Sequence, residues 1–436
     1  MLRKFTKSLG FGAALSLVAA PAMAEVSPET AYVFNTFLFL VCGFLVMFMA
    51  AGFAMLESGM VRSKNVATIC LKNISLFSIA GLMYWLVGYN LMYGIEEGGY
   101  IGELFSVWSA DDSAIAAEAA DFSGGYASGS DWYFQMVFCA TTASIVSGTI
   151  AERMKLWPFL IFTLFLTGFI YPIVGSWEWG TGWLDAMGFS DFAGSTLVHS
   201  TGGWAALMGA IILGARAGKY GPDGQINPIP GSSMPLATLG AFILWLGWFG
   251  FNGGSQLALG SGADAAAISN IFINTNMAAA AGVVAAMLVS QALYGKVDLT
   301  MALNGAIGGL VSITAEPLTP TIPTAAFIGA IGGVLVVLAV PLLDKFKVDD
   351  VVGAIPAHLV CGIWGTLIVP LTNGDASYGV QLTGVIAVGI FTTVVSGLLW
   401  YVLKVTIGIR VDEDEELMGL DKAELGIEAY PEFARS

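Results

Sequence analysis

The sequence predicts an all-α polytopic membrane protein: eleven transmembrane helices, arranged as two inverted five-helix halves plus an eleventh helix. Three observations lead there. The chain is 56 % hydrophobic and only 11 % charged, whereas a soluble domain carries about 25 % charged residues. Its apolar residues gather into eleven stretches, each near the ~20 residues that cross a bilayer. Its lysines and arginines stand at alternate ends of those stretches, as the excess of basic residues in cytoplasmic loops requires.

Residues 1–24 read as a signal peptide. Arg3, Lys4 and Lys7 form a basic start, Leu9 to Ala20 an apolar run too short to span, and Ala22-Met23-Ala24 a small-residue cleavage site. The mature chain then begins outside, and an odd number of spans brings its end inside. The transmembrane domain is expected over 25–404. Its first span, 32–56, runs in to Arg62 and Lys64, and 68–93 returns. After the loop 94–131, span 132–151 reaches Arg153 and Lys155, and 157–176 goes back out. The fifth span, 195–214, ends at Arg216 and Lys219. Then 235–253 leaves, 270–294 comes in to Lys296, and 299–315 leaves again. Span 323–343 comes in to Lys345 and Lys347, 351–371 goes out, and 380–403 returns to Lys404 and Arg410. A tail, 405–436, stays inside with Lys422 and Arg435. Beyond the signal peptide only Lys72, early in the second span, is a basic residue within a segment. This is the layout of a multi-pass membrane protein, and a bacterial cytoplasmic (inner) membrane is its expected location.

Composition also excludes. A net charge of −15 argues against nucleic acid as a partner. The four cysteines, Cys42, Cys70, Cys139 and Cys361, lie in apolar runs without metal-like spacing and read as small buried hydrophobes. The glycines, 55 in all, suit close helix packing in lipid; the repeated Gly-Ala-Ile-Gly-Gly at 305–309 and 329–333 reads that way. Loop 94–131 carries acids from Glu96 to Asp131 and no basic residue. A solvated acidic loop is the plainer reading, and modest enrichment of cations at the outer mouth the other.

The chain holds two histidines, and both sit inside apolar spans. An ionisable side chain in hydrocarbon is costly and marks a functional site by default. Each lies in the fifth span of a five-span set, and the two sets enter from opposite sides. That is the layout of an inverted repeat with its site near the midplane. His199 stands eight residues past Asp191 at the outer end, and His358 eight past Asp350 at the inner end. At 1.5 Å per residue each is about 12 Å deep, so the two overlap near the middle of a core about 30 Å thick. Two neutral imidazoles in a dry pore can share or pass a proton, or bond a small polar guest. Two unrelated interhelical hydrogen bonds are the alternative. Two histidines without nearby cysteine or carboxylate give too few ligands for zinc, and no metal or cofactor is expected.

Asp191 precedes the fifth span and is expected to cap its free amides, leaving negative potential near the outer mouth. Topology brings four more residues toward that mouth: Phe138, Trp179, Phe251 and Ser255. Aromatic faces attract a cation by about 0.5–2 kcal/mol, though aromatics at this depth also serve as interface anchors. Glu57 and Lys72 flank one inner loop and could pair, and Glu178 beside Trp179 has no assigned task.

Several stretches together resemble the ammonium transporter family (Amt/Mep/Rh), bacterial Amt type, over nearly the whole mature chain. They are Gly52-Phe-Ala-Met-Leu-Glu-Ser-Gly-Met-Val-Arg-Ser-Lys-Asn65, Ser147-Gly-Thr-Ile-Ala-Glu-Arg153, and Asp191-Phe-Ala-Gly194 with His199. Gly247-Trp-Phe-Gly-Phe-Asn252 with Ser255, and His358-Leu-Val-Cys-Gly-Ile-Trp-Gly365, complete the set. The resemblance implies a homotrimer with one narrow pore per subunit. It implies ammonium recruitment by Phe138, Trp179 and Ser255, a gate of Phe138 and Phe251 with Trp248 lining the pore, and His199 with His358 as a twin-histidine proton relay. The tail, an acidic solvated segment by composition, is similar to the family's cytoplasmic tail, which touches a neighbouring subunit. A PII-type regulatory protein at the cytoplasmic face is the partner it implies.

The expected function is therefore ammonium/ammonia transport, with methylammonium as an analogue. Ammonium is recruited and deprotonated, and ammonia crosses while the proton travels separately. The alternative is an ammonium-binding sensor with little flux. No nucleophile elbow, zinc-protease motif or phosphate loop occurs, so an enzyme is not expected.

Overall fold

The computed structural model describes residues 26–116 and 120–433; the expected signal peptide, 1–24, lies outside them. Among the described residues there is no β-strand, only two isolated bridges, Met154 with Arg410 and Tyr220 with Ile226. The helices are α1 (Pro28–Met60), α2 (Ser63–Tyr93), α3 (Ser128–Thr149), α4 (Leu156–Ser176), α5 (Ser195–Leu213) and α6 (Met234–Gly254). They continue as α7 (Gly262–Tyr294), α8 (Leu299–Thr314), α9 (Ile322–Lys345), α10 (Ile355–Leu371), α11 (Tyr378–Thr406) and the short α12 (Glu413–Met418). Eight of them (α1, α2, α4, α5, α6, α7, α9 and α11) are long and apolar enough to cross a membrane by length and composition. α8 and α10 are apolar but shorter. α3 has the length, but it is the most interior helix, with 18 of its 22 residues buried, and it carries serines and threonines that bond inside the protein. Each stretch read from the sequence falls on one of these eleven.

The helix ends follow local chemistry more than hydropathy. α1 starts at Pro28 because Ser27 caps it, its Oγ accepting from Thr30 N at 3.2 Å. α7 starts at Gly262, ahead of its apolar run, because Ser261 Oγ accepts from Asp264 N at 3.1 Å. α1 packs lengthwise on α6 where small residues let the backbones touch: a β-carbon on Gly240 would stand 2.2 Å from Leu56 N. α7, α8 and α9 form a second tight group, and the two Gly-Ala-Ile-Gly-Gly copies share one partner. A β-carbon on Gly309 would lie 2.4 Å from the Ala278 carbonyl oxygen, and one on Gly329 would lie 2.1 Å from the same atom. One cysteine differs from expectation. Cys42, Cys139 and Cys361 are buried, but Cys70 is exposed on α2. The outward face of a membrane helix is itself apolar, so an apolar context does not imply an interior position.

The two ends of the molecule differ in charge. At the basic end Arg216 bonds Asp349 at 2.8 Å and Glu152 at 3.2 Å, and Arg62 bonds Glu152 at 2.7 Å. Buried Arg153 donates to the carbonyls of Thr149, Ala151 and Asp349 at 2.6–2.9 Å. Burial alone would raise the Asp349 carboxyl, but hydrogen bonds from Arg216 and the charges of Arg153 and Arg216 hold it well below its usual range. Burial is likewise outweighed at Glu152, which Arg216 and Arg62 lower.

The tail is not a freely solvated acidic segment; it packs against this end of its own chain. Glu416 takes Arg410 at 2.6 Å and Ala217 N at 2.7 Å. Asp421 accepts Ala67 N and Thr68 N near the start of α2, at 2.9 and 2.8 Å, and Glu424 accepts Leu156 N at the start of α4, at 2.7 Å. Free amides at helix starts are ready acceptor-seeking groups, and carboxylates there also meet the positive end of the helix dipole. That is why Asp421 and Glu424 hold the tail here, while Asp412, Glu413 and Asp414 stay exposed.

Candidate functional site

α5 and α10 begin at opposite ends of the molecule and bring their first turns together at its centre. Each opens with a π-helical segment, Ser195–Ser200 and Ile355–Val360, and such wide turns recur at functional sites. Before each stands an aspartate that collects amides. Asp191 accepts from Gly194, Ser195, Thr196 and Leu197 at 2.7–3.1 Å. Asp350 accepts from Gly353 and Ile355 at 3.1 and 2.7 Å. Gly194 and Gly353 both take positive φ, 101° and 80°, which lets the chain turn from aspartate into helix. The pattern Asp-x-x-Gly followed five residues later by His therefore occurs twice, at 191–199 and 350–358. The residues between these shared positions differ in the two halves.

The consequence is a contact. His199 Nδ1 and His358 Nδ1 are 3.1 Å apart, with ring centroids at 5.2 Å. His199 also stacks on Trp248 at 4.9 Å, whose Nε1 donates to Thr314 Oγ1 at 2.8 Å. Both imidazoles are buried, at 0 and 2 % exposure, and His199 Nε2 has no partner among the described residues.

Toward the acidic end, Phe251 lies 5.2 Å from His199, and Phe138 stacks on Phe251 at 3.9 Å with planes 23° apart. The two rings cover the histidines. Above them is a cavity of about 480 Å³ whose lining includes Phe138, Trp179 and Ser255. Trp179 meets Phe138 edge-on at 6.1 Å and is held by its Nε1 to the Asp191 carbonyl at 3.1 Å. Ser255 Oγ donates to the Phe251 carbonyl at 2.9 Å, which leaves its lone pairs to accept. The sequence-predicted residues Phe138, Trp179, Ser255, Phe251, Trp248, His199 and His358 thus form one column.

Two acids join that cavity unannounced. Asp131, from the end of the acidic loop, is buried in it and accepts Tyr89 Oη at 2.5 Å and Gln135 at 3.2 Å. Glu178 accepts Asp191 N at 2.7 Å through Oε1, while its buried Oε2 is unpartnered. A carboxylate beside an aromatic wall suits a cation; the signal in sequence was only that Glu178 adjoins Trp179. Below the histidines, Glu57 and Lys72 meet through Ser147 and not as a direct ion pair: Lys72 Nζ donates to the Ser147 carbonyl, and Ser147 Oγ to Glu57 Oε2, at 2.9 and 2.8 Å.

Comparison with known proteins covers most of the chain. The model of the Ammonium Transporter Family matches residues 37–430. The chain is 41 % identical to ammonium transporter Amt2 of Archaeoglobus fulgidus, covering 90 % of this chain and 87 % of that protein. It is 38 % identical to ammonium transporter Amt1 of Haloferax mediterranei, covering 90 and 78 %. Among solved structures, a chain named "Sensor Amt Protein" superposes with a TM-score of 0.83 at 36 % identity, covering 91 % of this chain and 100 % of that one. Mep2 of Candida albicans superposes at 0.77 with 26 % identity, covering 89 % of each.

Proposed function

The chain belongs to the ammonium transporter family, a family of membrane transporters and not of enzymes, and from that premise we propose how its site moves ammonium. The ion sheds water against Phe138, Trp179 and Ser255. Aromatic faces return about 0.5–2 kcal/mol, far less than a buried unpaired charge costs, so the ion does not pass the two phenylalanines intact. It gives up its proton to water in the cavity above them, leaving ammonia and a hydrated proton. Ammonia slips past Phe138 and Phe251 along Trp248, and the proton crosses separately through His199 and His358. Potassium has no proton to give up, so it is refused. One turnover moves one positive charge.

The observation that carries this reading is the pair of imidazole nitrogens 3.1 Å apart under a closed aromatic lid. The test is an ammonium pulse on purified protein in liposomes, with sodium and potassium pulses beside it. Ammonium alone is expected to evoke current, methylammonium less. Replacing both histidines by alanine is expected to abolish that current. Full selective current in the double variant overturns the relay. Rapid internal pH change without current overturns charge movement in favour of electroneutral ammonia conduction.

Eleven crossings, with the basic end in the cytoplasm of a bacterial inner membrane, belong to the same reading and are supported by the distribution of lysine and arginine. So do removal of 1–24, a mature N-terminus outside, the tail inside, a homotrimer, and a PII-type protein at the basic end. The likeness to a chain named as a sensor supports a second reading, ammonium binding with little or no flux; binding without current or pH change in the same liposomes selects it.

A further inference from the structure

Below His358 a constriction of about 10 Å³ is lined by His358, Glu57, Asn304 and Val352, among others. That is room for about one water molecule. Asn304 and Val352 also line a wider cavity of about 330 Å³ at the basic end, so the constriction lies between the histidine pair and that opening, with these two residues as the shared wall. Glu57 stands on its wall. The carboxylate is 1 % exposed. Its Oε2 is fixed by Ser147 Oγ at 2.8 Å and Asn73 Nδ2 at 3.2 Å, while Oε1 is buried without a partner. A buried carboxylate oxygen left unsatisfied costs free energy, and such a group persists where it has a task. His358 Nδ1 is committed to His199, so its other ring nitrogen is the one free to pass a proton onward.

We propose that Glu57 is the next station of the proton path: it accepts the proton that leaves His358 and releases it to the basic-end cavity. The imidazolium of His358 gives a proton to a water in the constriction, and that water gives one to Glu57 Oε1. The protonated carboxyl then returns the proton to the constriction water, from which it passes the shared wall of Asn304 and Val352 to the wider cavity, and the group is again carboxylate. No co-reactant is needed, and one charge moves. Lys72, held by the Ser147 carbonyl and lying 4.6 Å from the centre of the Phe159 ring, balances the carboxylate one serine away. The other ionisable groups around this cluster are His358 on α10 and Arg153 just past α3. The inference rests on the separate passage of ammonia and proton proposed above.

The test compares E57Q, E57D and the His199→Ala/His358→Ala variant in liposomes, recording ammonium-evoked current and internal alkalinisation together. With E57Q the current is expected to fall about tenfold or more, as for loss of a positioned proton-transfer group, while ammonia-driven alkalinisation persists. E57D is expected to restore current with a displaced pH profile, which a purely structural glutamate would not give. Current retained in E57Q but lost in the histidine variant overturns the role of Glu57 and leaves the relay standing. Current retained in both overturns the relay and this inference with it. Loss of alkalinisation together with current in E57Q makes the residue structural and overturns the inference. Where E57Q fails to fold, E57Q/K72M, which removes both charges of the cluster, carries the same comparison.

Discussion

His199 and His358 meet because each stands eight residues beyond an aspartate that fixes where its helix begins. Depth along a helix is readable from sequence at 1.5 Å per residue, so the contact itself was within reach. The orientation of the rings was not, because it depends on two π-helical first turns that no periodicity announces. The same holds above the lid. Phe138, Trp179 and Ser255 were assignable by resemblance, but the inward turn of Asp131 and the bond from Asp191 N to Glu178 depend on how a loop and a helix end pack. Asp191 anchors this region through four amides. Asp191→Ala leaves those donors buried and unpaired at once, and a loss of about 1–3 kcal/mol or more is expected. A lowered melting temperature of the purified protein is the readout; an unchanged one would mean that water replaces the carboxylate fully.

At the scale of helices, the positions of the eleven were legible and their ends less so. Hydropathy marks where a helix crosses apolar surroundings, while caps such as Ser27 and Ser261 mark where it starts, which lies beyond that boundary. α3 is the instructive element. Thr141, Thr142 and Ser144 bond carbonyls one turn back, Thr141 to Val137 at 2.8 Å, so a helix with low average hydropathy can still lie at the centre of a membrane protein. Glycine spacing told of packing without naming the partner. Ala278 on α7 proves to be the common neighbour of Gly309 and Gly329. A leucine at 309 must push against backbone with no flexible side chain to yield. Overpacking of this kind costs about 1–3 kcal/mol, and G309L is expected to purify in lower yield and melt earlier than G295L, where a β-carbon meets open space but the residue at φ 71° carries only local backbone strain.

Across the whole molecule, the basic end is tied by buried ion pairs and by the tail, while the acidic end is built from aromatic rings. The arginines there were read only as topology markers; their pairing with Glu152 and Asp349 came from loops that approach in space alone. Because both carboxyls titrate below their unfolded values of about 4, they add stability that is complete above that pH and fades as the pH drops through their folded values. Melting temperature should therefore hold from neutral pH down to about 4 and fall below it. R216M strands the buried Asp349 carboxylate and leaves Glu152 with Arg62 alone, is expected to lose about 3–5 kcal/mol at neutral pH, and should show a flatter acid limb. A melting curve for R216M that keeps the wild-type acid limb would contradict the assignment. The doubled aspartate-glycine-histidine pattern also carries a rule about length. Each residue added to a helix turns everything after it by about 100°, so one residue inserted between Gly194 and His199, or between Gly353 and His358, would swing an imidazole away from its partner while leaving every side chain in the column intact. Along these two stretches the chain can trade one amino acid for another more freely than it can gain or lose one.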